Sequence, residues 1–260
     1  MAHNLDIIGD VHGELPALRA LGRHLGYDVD RGWTHPANRF LIFLGDLVDR
    51  GAHSLEVAEL VKDLVEQRRA VCVMGNHEYN LVAFHLKVPG YTKPKRSNEP
   101  TIREMQADPA RWAPVLRFFR DLPIGINLPD LRVIHACWNQ RSLEQTKALL
   151  AVPSSNVPAD ADAMAWVMGH VCVRSPFADE GLRAGLPGDT HDEDADAPHE
   201  VLMKGFEVAA PEPFEDNDGK TRNRIRAVWW KDGRHLVLTD KPQVFGHYWN
   251  APPVECSDPG

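Results

Sequence analysis

The stretch "RFLIFLGDLVDRG", residues 39–51, decides the fold of this chain. Its apolar run ends at Gly45, and the carboxylates Asp46 and Asp49 follow. A short apolar run that stops at a glycine turn is typical of a buried strand in a parallel sheet. Side chains just past the carboxyl ends of such strands converge on one crevice. We therefore expect Asp46 and Asp49 to face a functional site.

Two further stretches end in the same way. The stretches "LDIIGDVHG", residues 5–13, and "AVCVMGNHE", residues 70–78, are apolar runs that close on a glycine followed by polar residues. These polar residues are Asp10 and His12 in the first stretch, and Asn76, His77 and Glu78 in the second. An isolated Gly-Asp turn is usually only a turn. Three such ends in order, each directly after an apolar run, indicate a site.

The segments between these runs have the spacing of amphipathic helices. Residues 14–26 carry leucines at helical intervals, and residues 54–69 repeat the pattern. The resulting β-α-β-α-β order predicts an α/β fold, with a mostly parallel sheet and helices packed on its faces.

The rest of the chain is less regular and shows no internal repeat or obvious linker. We expect a polar loop at 87–100, helices at 110–122 and 141–152, a strand at 131–138, an acidic turn-rich segment at 185–200, and β structure at 224–230, 233–240 and 243–249. The simplest account is a single domain, residues 1–260, with cap-like insertions at about 84–123 and 141–240.

The composition is that of an ordinary globular protein with a buried core: 260 residues, 43% hydrophobic and 25% charged. A formal net charge of −8 argues against nucleic acid as a partner, since no basic stripe offsets it. The first residues lack the features of a signal peptide, and the apolar runs are too short to span a bilayer. The four cysteines are scattered and form no CxxC pair, which predicts reduced thiols in a cytoplasmic protein. We expect no membrane partner, because of the short apolar runs.

The polar strand ends suit a metal. Carboxylate, imidazole and amide oxygen together favour a divalent transition metal with mixed nitrogen and oxygen ligands. Asp10 and His12 are two residues apart and point to the same side if the segment is extended. The count of 13 histidines agrees with metal chemistry.

With these motifs the chain resembles the calcineurin-like metallophosphoesterases, in the branch of bacterial phosphoprotein phosphatases and symmetrical diadenosine tetraphosphate hydrolases. The resemblance rests on residues 9–13, 45–51 and 75–78, on the histidine of "VIHAC" at 135, and on a late Gly-His pair. It implies a layered α/β/β/α sandwich with mixed sheets and an inserted cap.

The resemblance also implies two divalent metal ions. Asp10 and His12 would hold one ion, Asp46 would bridge both, and Asn76 and His135 would hold the second with one more histidine. A bridging carboxylate offers one oxygen to each ion, and two ions roughly 3.5–4 Å apart can share a hydroxide. A ligand set without thiolate suggests Mn, Fe or Zn and does not choose between them; Mn is the metal we expect, with Fe or Zn as alternatives.

The remaining residues of the motifs would supply catalysis. Arg50 can present its planar fork to phosphoryl oxygens, together with Asn76. His77 can protonate the leaving oxygen, and Asp49 would orient its imidazole. The alternatives are a surface salt bridge for Arg50 and a helix N-cap for Asp49.

The last ligand is either His170 or His247, because each follows a glycine after an apolar run. The segment before His170 has helical spacing, whereas a turn and a strand-like "QVF" lead into His247. We predict His247 as the ligand and His170 as a core or cap residue.

The function expected from the resemblance is hydrolysis of phosphomonoesters or phosphoanhydrides by a metal-bridged hydroxide. The expected substrate is a phosphoprotein, a nucleotide or a small phosphoester, and the closest likeness is to a Ser/Thr protein phosphatase. A symmetrical diadenosine tetraphosphate hydrolase is the first alternative. A metal-binding scaffold that has lost catalysis is the second, because only the turn-rich residues 250–260 follow the late motif, where relatives continue into further strands.

Overall fold

The computed structural model describes residues 4–94, 96–150, 162–177, 197–215, 221–232 and 241–248. Three parallel strands form the first sheet in the order β1-β2-β3: Leu5–Ile8, Phe40–Phe43 and Ala70–Cys72. Helix α1, Leu15–His24, follows β1, and helix α2, Ser54–Glu66, follows β2. The predicted α/β order and the parallel pairing are therefore confirmed.

Strand β2 is buried along its whole length because both of its faces are covered. Leu41 and Phe43 pack in the larger hydrophobic core, together with helical residues such as Trp112. Phe40 and Ile42 pack in a second core on the other side of the sheet. This division follows from the alternation of side chains along a strand.

Three helices follow β3. They are α3 at Asn76–His85, α4 at Glu99–Ala107 and α5 at Pro109–Asp121. Helix α5 packs against α2 and α3, and it confirms the helix expected at 110–122. Helix α3 begins directly at Asn76, where the sequence predicted only the end of a strand. Helix α4 was not expected in this region.

A second, mixed sheet has the order β6-β4-β5-β9. Its strands are β4 at Gly125–Asn127, β5 at Arg132–Ile134, β6 at Val171–Val173 and β9 at Gln243–Val244. Ile126 and Val133 of this sheet share the second core with Ile42 of the first, so the two sheets pack face to face. The mixed two-sheet arrangement agrees with the layered sandwich that the resemblance implies.

Strands β5 and β9 run parallel and are direct neighbours. Parallel neighbours end at the same edge of a sheet. The residues that follow them therefore lie together, and the Gly246 N–H donates a hydrogen bond to the His135 carbonyl at 2.8 Å.

The other described elements lie in the second half of the chain. They are α6 at Gln140–Leu150, α7 at Ala163–Met168, α8 at Pro198–Lys204, β7 at Glu207–Glu215, β8 at Thr221–Arg226 and α9 at Trp229–Asp232. The β structure predicted at 229–230 is wrong, because Trp229 and Trp230 begin the short helix α9. The end of the segment predicted as acidic and turn-rich is also wrong, because Pro198 begins the buried helix α8. The expectations for 185–196, 233–240 and 250–260 lie outside the described residues.

The described cysteines and helices bear on the predicted thiols and on the predicted absence of a membrane partner. Cys72, Cys137 and Cys172 are free thiols, and burial raises the pKa of Cys137 to about 12. In the part of the chain that the structure describes, no helix is both long and apolar enough to cross a membrane. The single domain with two cap-like insertions stays a prediction.

Candidate metal centre

The Asp46 carboxylate lies at the centre of a cluster of imidazoles. Its Oδ2 is 3.4 Å from His135 Nε2, 3.6 Å from His12 Nε2 and 3.8 Å from His77 Nε2. Two sets of potential ligand atoms each lie within 4.8 Å of one another: those of His12, Asp46 and His77, and those of Asp46, His135 and His247. Asp46 belongs to both sets, which is the arrangement that a bridging carboxylate needs.

Two of the imidazoles, those of His12 and His135, donate from Nδ1 and direct Nε2 at the centre, which is the orientation that ligation through Nε2 requires. His12 Nδ1–H donates to the Val48 carbonyl at 2.9 Å, and His135 Nδ1–H donates to the Leu44 carbonyl at 2.6 Å. A neutral ring that donates from Nδ1 keeps its lone pair at Nε2. Within the described part of the chain, the buried Nε2 of His12 has no hydrogen-bond partner. A divalent cation would satisfy this atom, so the residues present fit a metal.

The charge of the cluster also favours a cation. Burial lowers the pKa of His135, but the charge of Asp46 outweighs burial and raises that pKa to about 9. Burial lowers the pKa of His247 to about 2, and the neighbouring charge of His135 acts in the same direction. Asp46 therefore attracts positive charge to this point, while His247 stays a neutral potential ligand.

The other residues predicted as ligands lie around this centre. Asn76 Oδ1 is 3.3 Å from His135 Nε2. Asp10 Oδ2 is 4.0 Å from His12 Nε2, and both oxygens of Asp10 accept the His247 backbone N–H at 3.1 Å. The structure thus brings together all six residues that the sequence analysis selected as ligands.

His170 lies elsewhere in the fold. Its Nδ1–H donates to the Trp166 carbonyl at 2.7 Å, and its ring packs on the Trp166 ring at the end of α7. This is the helix-end position expected for a histidine without a ligand role.

The backbone of the site is unusual. Five of its residues have positive φ although none is glycine: His12 at 46°, Asp46 at 51°, Asp49 at 70°, Arg50 at 69° and His247 at 67°. Such a conformation costs on the order of 1–3 kcal/mol per residue and is found mainly where function requires it.

The turn that carries Asp46 is held by Glu78. The buried Glu78 carboxylate accepts the backbone N–H of Asp46 at 2.7 Å and that of Leu47 at 2.8 Å. It also accepts the Gly75 N–H at 3.1 Å, as a glutamate does three residues after a helix N-cap. The sequence alone predicted no role for Glu78. The Gly-x-x-Glu spacing at the start of a helix is the signal that could have indicated its capping contact.

Gly246 has a steric function beside the site. A Cβ atom at this position would overlap Asp10 Oδ1. The Gly-His pair therefore reflects the close approach of the Asp10 carboxylate to the chain before His247. From the sequence alone, this glycine was only part of the Gly-His motif.

Asp49 and His77 form a buried pair next to the ligands. His77 Nδ1–H donates to Asp49 Oδ2 at 2.5 Å, and the Asp49 N–H donates to Ser54 Oγ at 2.9 Å. Burial lowers the pKa of His77, but the charge of Asp46 and the hydrogen bond to Asp49 outweigh it, and the pKa lies above its ordinary value. The alternative role of Asp49 as the N-cap of α2 is wrong. The N-cap residue is His53, and no side chain makes a capping hydrogen bond at the start of this helix.

An open cleft leads to these residues. It has a volume of about 590 Å³, and Asp10, His12, Arg50, His247 and Tyr248 are among the residues that line it. The Arg50 side chain is exposed at this cleft. A guanidinium at this place can meet a phosphate that enters.

Known proteins are similar in sequence to this chain. The sequence profile of the calcineurin-like phosphoesterases matches residues 3–193. An asymmetrical bis(5′-nucleosyl)-tetraphosphatase PrpE of Halalkalibacterium halodurans is 44% identical over 103 residues, which are 39% of this chain and 41% of that protein. The protein of the same name from a Geobacillus species is 37% identical over 138 residues, which are 51% of this chain and 56% of that protein.

A solved structure is also similar. The metallophosphoesterase of Sphaerobacter thermophilus has 25% identity and a TM-score of 0.35, and the match covers 52% of this chain and 47% of that chain. This chain therefore matches only part of each tetraphosphatase, 41% of the length of the first and 56% of the length of the second.

Proposed function

The chain belongs to the calcineurin-like phosphoesterase family, and on this premise we propose that it is a metal-dependent hydrolase of phosphoanhydride or phosphoester bonds. The observation that carries the proposal is the position of Asp46, whose carboxylate belongs to both sets of potential ligand atoms. A site with one shared carboxylate between two groups of imidazoles is suited to two cations.

We take the two ligand sets from the family resemblance, and the short distances around Asp46 support them; His77 Nε2 also lies in the group of potential ligand atoms that contains His12 and Asp46. Asp10, His12 and Asp46 would hold one ion, and Asp46, Asn76, His135 and His247 would hold the other. When bound, two divalent ions lower the pKa of a water molecule and neutralise charge on phosphoryl oxygens. Mn is the expected metal, with Fe or Zn as alternatives; a set of oxygen and nitrogen donors without thiolate fits all three and does not choose between them.

Arg50 and Asn76 would bind the phosphoryl group. The guanidinium of Arg50 is exposed at the cleft, and its fork matches two phosphoryl oxygens. The Asn76 side chain is buried beside His135 and offers an amide N–H₂ in addition to its oxygen. Together they would fix the orientation of the bond to be cleaved.

His77 would give a proton to the leaving oxygen. Its Nδ1–H is bound by Asp49, so Nε2 is the atom that faces the site, 3.8 Å from Asp46 Oδ2. The pKa of His77 lies above its ordinary value, after burial has been outweighed by Asp46 and Asp49, and this favours a protonated ring. Nε2 could also reach a metal. The pairing with Asp49 supports the role of general acid.

The substrate that we propose is a nucleoside polyphosphate. This choice rests on the similar proteins described above, which are asymmetrical bis(5′-nucleosyl)-tetraphosphatases. Removal of phosphate from serine or threonine in proteins is the second candidate, because the strand-end motifs resemble those of Ser/Thr protein phosphatases.

A substrate panel tests the proposal. Purified protein with Mn²⁺ is compared on diadenosine tetraphosphate, a phosphoserine peptide and p-nitrophenyl phosphate, with Asp46→Asn as the control that lacks the shared carboxylate. We expect the highest kcat/KM on diadenosine tetraphosphate and a loss of all three activities in the control. Higher kcat/KM on the phosphopeptide would favour the second candidate. If the folded, metal-loaded protein is inactive on all three substrates, the result would favour the alternative that the chain is a metal-binding scaffold without catalytic activity.

A further inference from the structure

Tyr248 forms part of the wall of the cleft directly beside the metal centre. It follows His247 in the chain and lines the cleft together with Asp10 and Arg50. Its ring lies edge-on to the His247 ring, with 5.1 Å between the centroids and an angle of 90° between the planes. An aromatic surface therefore adjoins the place where a phosphoryl group would bind.

The hydroxyl end of Tyr248 is anchored outside the cleft. Tyr248 Oη accepts the Trp229 Nε1–H at 3.0 Å. The same oxygen lies against Gly205, where a Cβ atom would overlap it. Neither Trp229 nor Gly205 is among the residues that line the cleft, so the hydroxyl end of Tyr248 is held against residues outside it.

Other aromatic rings support Tyr248. Trp230 is 4.5 Å from it, centroid to centroid, at an angle of 65°, and Phe245 is 5.9 Å from it at 88°. Trp229 packs on Phe245 at 4.7 Å. A ring held by a hydrogen bond and by packing loses little conformational freedom when a ligand stacks on it.

The size of the cleft indicates what kind of ligand can bind beside Tyr248. Clefts of about 300–1,000 Å³ take ligands of nucleotide or drug size, and this one has a volume of about 590 Å³. A phosphoryl group alone would leave most of that space empty. The space beside Tyr248 therefore suits the part of the substrate that is attached to the phosphate.

We propose that Tyr248 stacks on the base of a nucleoside phosphate while Arg50 and the metal centre hold the phosphoryl group. This inference rests on the proposed function and assigns its substrate specificity to a residue. Tyr248 is then the specificity-determining residue, and Trp229 is a positioning residue that acts by holding Tyr248 Oη. A flat base gains from a fixed aromatic ring, whereas an alkyl phosphate or inorganic polyphosphate gains nothing from it.

Equilibrium binding tests the inference without turnover. Two ligands share a P–C–P group that cannot be hydrolysed: α,β-methylene adenosine diphosphate, which carries a nucleoside, and methylenediphosphonate, which does not. Their dissociation constants are measured by calorimetry on Mn²⁺-loaded wild-type protein, on Tyr248→Ala and on the matched control Tyr248→Phe, which keeps the ring. The ratio of the two constants in each protein cancels the affinity of the shared group for the metal.

We expect the nucleoside to strengthen binding to the wild type, and Tyr248→Ala to weaken this preference about tenfold, in line with the measured worth of base–aromatic stacking. Tyr248→Phe should keep the preference. Equal preferences in the wild type and Tyr248→Ala, or no preference in the wild type, would overturn the role of Tyr248 and leave the proposed function intact. A wild-type protein that binds neither ligand would overturn the proposed function and this inference with it.

Discussion

Asp49 and His77 come from different motifs and meet in a buried hydrogen bond of 2.5 Å between Oδ2 and Nδ1. Asp49 lies in the loop after β2, and His77 lies in the first turn of α3. Because Nδ1 is bonded to Asp49, the pair fixes Nε2 as the ring atom that is turned to Asp46. Nε2 is thereby turned towards the site, where it can serve as a proton donor or as a metal ligand, and the variant His77→Asn distinguishes the two roles.

The first prediction concerns His77. In His77→Asn, kcat should fall by about 10²–10⁴-fold, the usual contribution of a positioned general acid. The number of bound Mn²⁺ ions should not change, because the predicted ligands are all retained. Steady-state kinetics and elemental analysis of the same sample measure both quantities.

Asp49→Asn is the matched control for this variant. It keeps the shape of the side chain but removes the charge that favours a protonated His77, so kcat should fall by a smaller factor. Turnover of His77→Asn at the wild-type rate, with metal bound, would exclude the proton-donor role. Loss of one metal ion from His77→Asn would instead identify His77 as a ligand.

The second prediction concerns Asp46. Asp46→Asn leaves the backbone of the turn in place, since Glu78 still accepts its N–H. It removes the negative charge that attracts both ions. The metal content should therefore fall below that of the wild type at equal Mn²⁺ concentration. Full retention of both ions would contradict the bridging role.

The third prediction concerns the packing of Gly246. In Gly246→Ala the new methyl group would displace the Asp10 carboxylate. We expect the affinity for Mn²⁺ to weaken by about 10–100-fold, as when other supports of a metal ligand are lost. Gly9→Ala is the control, because no atom lies within 4 Å of its added Cβ. Equal Mn²⁺ affinities in the two variants would show that Asp10 does not need the space at residue 246.

The fourth prediction concerns stability and pH, at a residue away from the ligands. Burial lowers the pKa of His199 to about 4, and the nearby Lys204 adds to the effect while Glu200 opposes it. Above the unfolded pKa of about 6.5, the ring is neutral in both states. As the pH falls from 6.5 towards 4, only the unfolded chain binds the proton, and the native state loses stability.

His199→Gln should remove this dependence. Between pH 7.5 and pH 5.0, the wild type should lose about 2 kcal/mol more of its unfolding free energy than the variant does. Urea unfolding at the two pH values measures the difference, and His24→Gln, at an exposed histidine, is the control. Identical pH dependence in the wild type and His199→Gln would contradict a buried neutral ring.

The parts of the fold that the sequence predicts correctly are those with a local cause. The strands at β1, β2 and β3 come from short apolar runs that stop at glycines, and α1 and α2 come from helical spacing. The parallel pairing then follows, because a helix between two strands brings the second strand back alongside the first.

The errors arise where local patterns are short or ambiguous. Trp229 and Trp230 stand beside a real strand, β8, and two residues cannot distinguish its continuation from the turn of helix that the structure shows. Helix α4 overlaps the loop predicted at 87–100 only at Glu99 and Pro100, residues that are compatible with a loop as well as with a helix start. Tertiary packing decides both cases.

The site shows the same division. The sequence selects the residues that converge, because each follows a strand end, but it does not show how their backbone is held. Glu78 bonds to the N–H groups of Asp46 and Leu47, more than thirty residues away in the chain, and no local pattern predicts that contact. The orientation of Tyr248 likewise depends on Trp229 and Gly205, which only the fold brings near.

The most direct test of the account is the number and position of metal ions at Asp46. Crystals of the Mn²⁺-loaded protein, measured at the manganese absorption edge, show each ion as an anomalous difference peak. We predict two peaks that share the Asp46 carboxylate, one beside His12 and the other beside His135 and His247. A single peak, or none in contact with Asp46 at saturating Mn²⁺, would contradict the two-metal site on which the proposed hydrolase rests.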